Sequence, residues 1–573
     1  MSNYLFMFKA DESLIDVPRW LNGPDEERSF LKIPGIGVGL LIAKRASARV
    51  CESAKEIFMG WSVNHDTKSI HVEGSESPPP NWDHEGAWVH IAHAGNGFTI
   101  MHDLFGQFPV LITLIPNGFA VSDSMYTLVH MRRSMGLRNP LDSRVLQAHG
   151  WSHGLALSPL DSLTVNENIR MLPGFTSARI SHHSRSRLKF EPYDMQMVFP
   201  RVEWAERWNS YKQAFEQMEG VLRAFRGHGC MLRFGLSGGI DSRLILTMIA
   251  RQGAGFESVD IRSNTHASRA DDLEVVHELS HRLGFEFNQD RVPFWEQTPR
   301  LPTRTPNPWG LWMLSYPGLF HMAYTYRSFW PDARVVELGG HGAEVLKGTY
   351  ANIELRSLVA KSPRSRYRSI KSRIREGLRG RNIKTDGPGA LRWNHLIHKN
   401  GLQAGRFLDR SIIGLRPFLN RALIGSTVHH HHADREVMVD LIRMVDPDGQ
   451  GLGHGLFDPS SPFTGPSLKV ESRQYSIHGD LRGMRGGPPD TLLGIVSDLV
   501  SSESDPGDIL GMAKHASEAI RASNVKEMDR ILELHSERTA TSTGYGPSRL
   551  SPAARIIALH VLTDLIEDGT SSR

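Results

Sequence analysis

The sequence predicts an α/β protein in two parts, a β-rich sandwich over residues 1–200 and a parallel α/β region with added helices over residues 201–573. Three observations predict it. With 573 residues, 40% of them hydrophobic, the chain exceeds what one ordinary core accommodates. Its first 200 residues alternate short β-rich runs with turn signals, the spacing of a mainly antiparallel sheet or sandwich. Beyond residue 230, apolar strand-like runs alternate with amphipathic helices, which implies a parallel sheet covered on both faces.

The early strands are VGLLIAKR (Val38 to Arg45), AWVHIAHA (Ala87 to Ala94), FTIMHD, PVLITLI and GFAVSD, with SESPPPNW a loop among them. RVEWAERWNSYKQAFEQMEGVLRAFRG, Arg201 to Gly227, has the apolar period of a bridging helix. MLRFGL then reads as a strand, DSRLILTMIARQG as a helix ending at Gly253, and FESVDIRSN as a strand. DDLEVVHELSHRLGFEF reads as a helix stopped at Gly284 with a strand behind it, and ARVVELGG as another strand ending in glycines. The remainder to Arg573 reads as mostly helical, clearest in HASEAIRASNVKEMDRILELHSER.

Charge is nearly balanced, 66 basic against 62 acidic residues for a formal +4, so no global field points to nucleic acid or to a membrane surface. Cys51 and Cys230 are the two cysteines, which excludes a disulfide framework and a cysteine-built zinc site and fits a reducing, cytoplasmic setting. No basic-then-apolar leader and no 18-residue apolar window is present, so the expectation is a soluble, unexported protein.

The chemistry concentrates in RFGLSGGIDSRLIL, Arg233 to Leu246, a glycine turn between a strand and a helix. Ligands of parallel α/β sheets sit beyond the carboxyl ends of the strands, where this turn falls. Gly238 and Gly239 let the backbone approach a ligand, and the first amides of the helix favour an anion, most naturally phosphate. Asp241 would repel phosphate unless a cation lay between them, so a carboxylate here implies Mg²⁺. Ser237 and Ser242 are expected to donate to the same oxygens.

The turn stands complete as SGGIDS and resembles the SGGxDS pyrophosphatase loop of the N-type ATP pyrophosphatases. LGGHGAEVLKGTY, Leu338 to Tyr350, resembles the second signature of the asparagine synthetase superfamily, roughly LSGEGSDEVFGGY. Patches in the family order agree with it. HDLFGQFPVLI (His102 to Ile112) is similar to RDPLGxRPLYY, AVSDSMYTL to FASExKAL, TVNENIRMLPG (Thr164 to Gly174) to TxFxGIxxLPPG, and LRPFLN (Leu415 to Asn420) to ARVPFLD. The resemblance implies an Ntn-hydrolase-like, class II glutaminase-like first domain and an ATP-binding synthetase domain that splits ATP into AMP and pyrophosphate. It also assigns nucleotide binding to Leu236, Ser237, Gly238, Gly239, Asp241, Ser242 and Gly340, and Mg²⁺ to Asp241 and Glu344, the latter standing for the family's aspartate.

Departures bear on the member, which stays open. Glutamine-hydrolysing relatives expose a cysteine after Met1, whereas this chain has Ser2, so the first domain is expected to lack glutaminase activity, with a serine nucleophile as the alternative. The same loss marks relatives resembling β-lactam synthetase and lasso-peptide macrolactam synthetases, in which the amine belongs to the substrate. Between the two glycines of the second signature stands His341, read either as the base that deprotonates that amine or as a histidine that only hydrogen-bonds in a crowded loop. Lys469, in TGPSLKVESRQ, is the candidate for the family's late charge-stabilising lysine, and Lys347 is its rival.

Three further features have plainer readings. The basic run from Lys361 to Lys384 is expected to be a solvated or disordered loop, with gating of the site as the other reading. His429 to His432 lack a second ligand cluster for zinc, and Asp271 with Asp272 are expected to cap a helix. The sequence thus leads to an AMP-forming carbon–nitrogen ligase using ATP and Mg²⁺, with a small-molecule or peptide substrate that carries a carboxylate and an amine. An ammonia-dependent asparagine synthetase and an inactive nucleotide-binding paralogue are the alternatives.

Overall fold

The structure is a computed structural model that describes residues 4–10, 27–43, 50–51, 55–75, 80–149, 159–181, 187–253, 255–264, 270–290, 334–348, 350, 364–403, 413–430, 436–449, 451–458, 460–461, 463–468, 474–481 and 509–522, with 529, 532–533, 536 and 556. The strands before residue 200 are β1 (Tyr4–Lys9), β2 (Glu27–Ile33), β3 (Gly37–Ala43), β4 (Val50–Cys51), β5 (Glu56–Asn64), β6 (Ser69–Val72), β7 (Glu85–Ala94), β8 (Gly97–His102), β9 (Leu111–Ile115), β10 (Gly118–Ser122), β11 (Ile169–Met171), β12 (Thr176–Ser181) and β13 (Arg187–Pro192). Beyond them lie β14 (Met231–Gly235), β15 (Val259–Asn264), β16 (Asn288–Asp290), β17 (Val335–Leu338), β18 (Ile413–Leu415) and β19 (Ser476–His478). The protein is mixed α/β, with two largely antiparallel sheets and one parallel sheet among the described residues.

The six-stranded sheet runs β11-β9-β10-β1-β3-β2, and the eight-stranded one runs β13-β12-β8-β7-β5-β6-β19 with β4 beside β5. They pack face to face through aromatic rings. Phe98 of β8 lies 4.6 Å from Phe8 of β1 and 5.0 Å from Phe119 of β10, all fully buried, as alternating inward side chains require. Helices close both outer faces. Met125–Ser134 is tied to β9 by Arg132, whose Nη1 donates to Thr113 Oγ1 at 2.8 Å and to Leu114 O at 3.0 Å. Arg207–Gly227 meets the other sheet where Phe225 packs edge-on against Trp61. That helix starts six residues later than its apolar pattern reads, because Trp204–Glu206 forms a 3₁₀ turn ahead of it.

The parallel sheet runs β16-β15-β14-β17-β18. In chain order that is third, second, first, fourth and fifth, so the winding direction reverses between β14 and β17. The reversal leaves a crevice outside the carboxyl ends of those two strands, the usual place for a ligand in such sheets. One contiguous core spans all three sheets.

The segment from Lys361 to Lys384 is not a solvated loop where it is described. Arg364–Leu378 is a helix that buries Ile370, Ile374 and Leu378 on one face, an amphipathic period that its many basic residues obscure. It packs against Ala390–His398, and Gly174 N on the LPG turn donates to Ile397 O at 2.9 Å. Asn400 Nδ2 donates to Phe105 O at 3.0 Å, so the HDLFG and LPG patches both touch the chain beyond residue 390. His429 and His430 donate to the carbonyls of Phe199 and Val202, each at 2.7 Å, while His431 and His432 lie outside the described residues.

Candidate nucleotide site

Both signatures end up in the crevice. SGGIDS follows β14 and GGHGAE follows β17, and β14 and β17 are hydrogen-bonded neighbours. The contact between them is direct: Lys347 Nζ lies 2.6 Å from Asp241 Oδ1 and 2.7 Å from Oδ2, and a Cβ on Gly340 would sit 3.6 Å from the Asp241 Cβ. Both charged side chains are about one-third exposed, so the pair lies at the mouth of the crevice rather than inside the core.

The first turn holds its shape through its serines. Ser242 Oγ accepts from Ser237 N at 3.0 Å and faces the carbonyls of Ser237 and Gly239 at 2.9 and 3.0 Å, while Ser237 Oγ accepts from Gly239 N at 3.2 Å. The one Ser242 hydroxyl proton has these turn carbonyls within reach. No side chain caps the Ile240–Ala250 helix, so its leading amides remain for a ligand. Leu236 is buried and anchors the strand end through its N–H to Arg262 O at 2.7 Å.

The reading of Asp272 is corrected. It lies in the first turn of Ala270–Leu283 and its Oδ1 accepts from Gly238 N at 3.1 Å, so it braces the glycine turn rather than serving only its own helix. A Cβ on Gly238 would come within 2.8 Å of that oxygen, which explains the glycine.

In the second turn Gly342 has φ +96° and lies against Phe418 and Leu419, so only glycine fits. The turn is pinned to LRPFLN: Arg416 Nη1 donates to the carbonyls of Glu337 and Leu415, both at 2.9 Å. Glu344 Oε2 accepts from Gly342 N at 3.0 Å, and Oε1 accepts from His395 Nε2 at 2.9 Å. Burial works against the carboxylate, but the hydrogen bond and charge of His395, with the turn's own amide and nearby His341, outweigh it and hold Glu344 well below the usual range, at about 2. Desolvation lowers His395 in turn, and the hydrogen bond to Glu344 offsets part of that. His341 is half-buried beside this carboxylate.

No cluster of three or more His, Cys, Asp or Glu among the described residues could hold a metal by itself. That is compatible with Mg²⁺ bound by one or two carboxylates together with phosphate oxygens. Asp241 is accessible and fits such a role once Lys347 gives way, and Glu344 keeps lone pairs beyond its two donors. Lys469 and Ser2 lie outside the described residues. Cys51 is exposed and Cys230 buried.

Lys347, Asp272, His395 and Arg416 were not singled out for this site from the sequence, apart from Lys347 as a rival lysine. A basic residue where the second signature has an apolar one was the available signal for Lys347; no local pattern marks the other three. No protein-family model matches the chain, and no curated protein matches it. The fold and site together define a mixed α/β protein whose doubly wound sheet carries two glycine turns, a carboxylate–lysine pair and a histidine-supported glutamate at its switch point.

Proposed function

We propose that the protein is an ATP-dependent ligase that forms AMP and pyrophosphate while joining a carboxylate to an amine. More particularly, the reading is an asparagine synthetase-like enzyme whose amine belongs to the substrate, so that the product is a lactam, macrolactam or other peptide amide. One observation carries it. Two glycine turns separated by about a hundred residues of chain meet at the switch point, and Lys347 of one grips Asp241 of the other.

In this reading the amides at the start of Ile240–Ala250 receive the pyrophosphate portion of ATP. Asp241 and Glu344 would hold Mg²⁺, which would neutralise charge on the phosphate oxygens. Lys347 turns from Asp241 toward those oxygens, so the crevice stays electrically balanced as the nucleotide enters. The substrate carboxylate attacks the α-phosphorus, pyrophosphate leaves, and an acyl-adenylate remains. The substrate amine then attacks the acyl carbon and AMP departs. Its surplus proton passes to a base, a role this reading gives to His341, whose charge acts on Glu344.

The test is release of AMP and pyrophosphate from Mg-ATP by wild type and Asp241→Ala. Aspartate with ammonium, aspartate with glutamine, and peptides carrying a free amine and a side-chain carboxylate are the substrates to compare. Release with a peptide, matched by loss of one water from its mass and absent in the variant, is expected. Release with aspartate and ammonium alone would replace this reading with an ammonia-dependent asparagine synthetase, and silence with every substrate would favour a nucleotide-binding paralogue.

A further inference from the structure

Away from the nucleotide crevice, a cavity of about 620 Å³ opens where the six-stranded sheet and β13 face the Arg364–Leu378 helix. One wall is apolar, made by Leu114, Leu163, Leu188 and Phe190. Arg170 of β11 and Arg373 of the helix also line it. Arg373 is only 5% exposed; its Nε and Nη2 form a bidentate pair with Asp161 at 2.9 and 2.7 Å. Its Nη1, and that of Arg170, are buried without a hydrogen-bond partner among the described residues.

Asp142, Asp161 and Glu167 all act on the charge of Arg170, but none of them is hydrogen-bonded to its Nη1. Asp161 is held by Arg373, Asp142 by Arg144 at 2.6 Å, and Glu376 by Arg379 at 2.9 Å, while Glu167 stands exposed at the rim. A buried guanidinium N–H without an acceptor is costly, so two of them on one cavity call for an anion with several lone pairs. Water could accept from both but would wet the apolar wall. The volume lies within the range of small-molecule sites.

We propose that this cavity binds a small organic carboxylate with an apolar body, its head group on Arg170 and Arg373 and its body against Leu188 and Phe190. The inference rests on no reading of the nucleotide crevice, because none of the crevice residues lines the cavity.

Titration calorimetry on the full chain tests it, with phenylacetate, its neutral isostere 2-phenylethanol and inorganic phosphate as probes. Phenylacetate is expected to saturate near about 1 mM or tighter. Arg170→Gln is expected to weaken it about tenfold or more, and Leu188→Trp to abolish it by filling the space. Arg170 Nη1 makes no hydrogen bond that the substitution would remove, but the guanidinium faces Asp142, Asp161 and Glu167, so the variant's affinity is compared beside its own melting curve; should it not fold, Leu188→Trp alone decides. No saturation up to about 10 mM, equal affinity in either variant, or 2-phenylethanol binding as well as phenylacetate would overturn the proposal. Phosphate binding as tightly as phenylacetate would overturn the part played by the apolar wall.

Discussion

Lys347 is a small departure with a large local effect. Where the second signature has an apolar side chain, this chain places an ammonium 2.6 Å from the carboxylate of the first. Lys347→Met is expected to lower AMP formation about a hundredfold, with Lys347→Arg retaining part of it, in a turnover assay once a substrate is in hand. Unchanged turnover in the methionine variant would make the lysine a mere spacer. Glu344 and His395 form the second pair. Because Glu344 is held at about 2, below its ordinary 4.5, its contribution to stability is fully present above pH 4.5 and is lost as pH falls toward 2. His395→Leu removes the donor, and a loss of about 1–3 kcal/mol in urea unfolding at pH 7 is expected, with that acid-side slope flattened. Of these four groups, Asp241 and Glu344 are readable in sequence because glycine turns frame them, whereas His395 comes from a helix 51 residues beyond Glu344 and no spacing announces it.

At the scale of elements, one of the joins between the two sheets' territory and the parallel region is a helix start. Asn420 caps Arg421–Val428 by accepting from Leu423 N at 3.1 Å, and Glu85 at the beginning of β7 accepts from Arg421 N at 2.6 Å. His65 Nε2 donates to the same glutamate at 3.0 Å and its Nδ1 accepts from Tyr475 at 2.9 Å, so strand, helix and a late loop share one buried network. Glu85→Ala leaves the helix amide without its acceptor, while Asn420 Nδ2 keeps Gln217 Oε1 at 2.9 Å, and a loss of about 1–3 kcal/mol by chemical denaturation is expected. A midpoint within error of wild type would show that the network closes without it. Strands such as VGLLIAKR and AWVHIAHA are legible because burial on one face imposes a period of two. The Arg364–Leu378 helix is not, since arginine and lysine stems cover apolar surface while their heads read as solvated charge. The pairing of Glu85 with a helix over three hundred residues away has no local trace at all.

For the molecule as a whole, desolvated histidines lead the response to acid, offset in part by Asp103, whose carboxyl is raised by burial to about 7, so that its contribution to stability grows as pH falls. Desolvation lowers His398 to about 3 and His102 and His130 to about 4, so the folded state binds fewer protons than the unfolded chain between those values and about 6.5. Their contribution is complete above pH 6.5 and declines as pH falls, each by about 1.4 kcal/mol per pH unit. Thermal midpoints should drop steeply from pH 6.5 to 4, and His398→Gln should shallow that slope; a flat profile would mean that these rings gain compensating partners on protonation. The doubly wound order of the parallel sheet is foreshadowed by the alternation of strands and helices, but its switch point is not, because which edge a strand joins is decided by packing between elements. A last consequence concerns synthesis. Strand β19 pairs in parallel with β6, from Ser476↔Ser69 to His478↔His71, completing an edge laid down about 400 residues earlier. At ribosomal speeds of roughly 5–20 residues per second, that edge waits on the order of 20–80 s for its last strand, and a nascent chain in that interval carries an open β-edge that chaperones or a neighbouring nascent chain can occupy first.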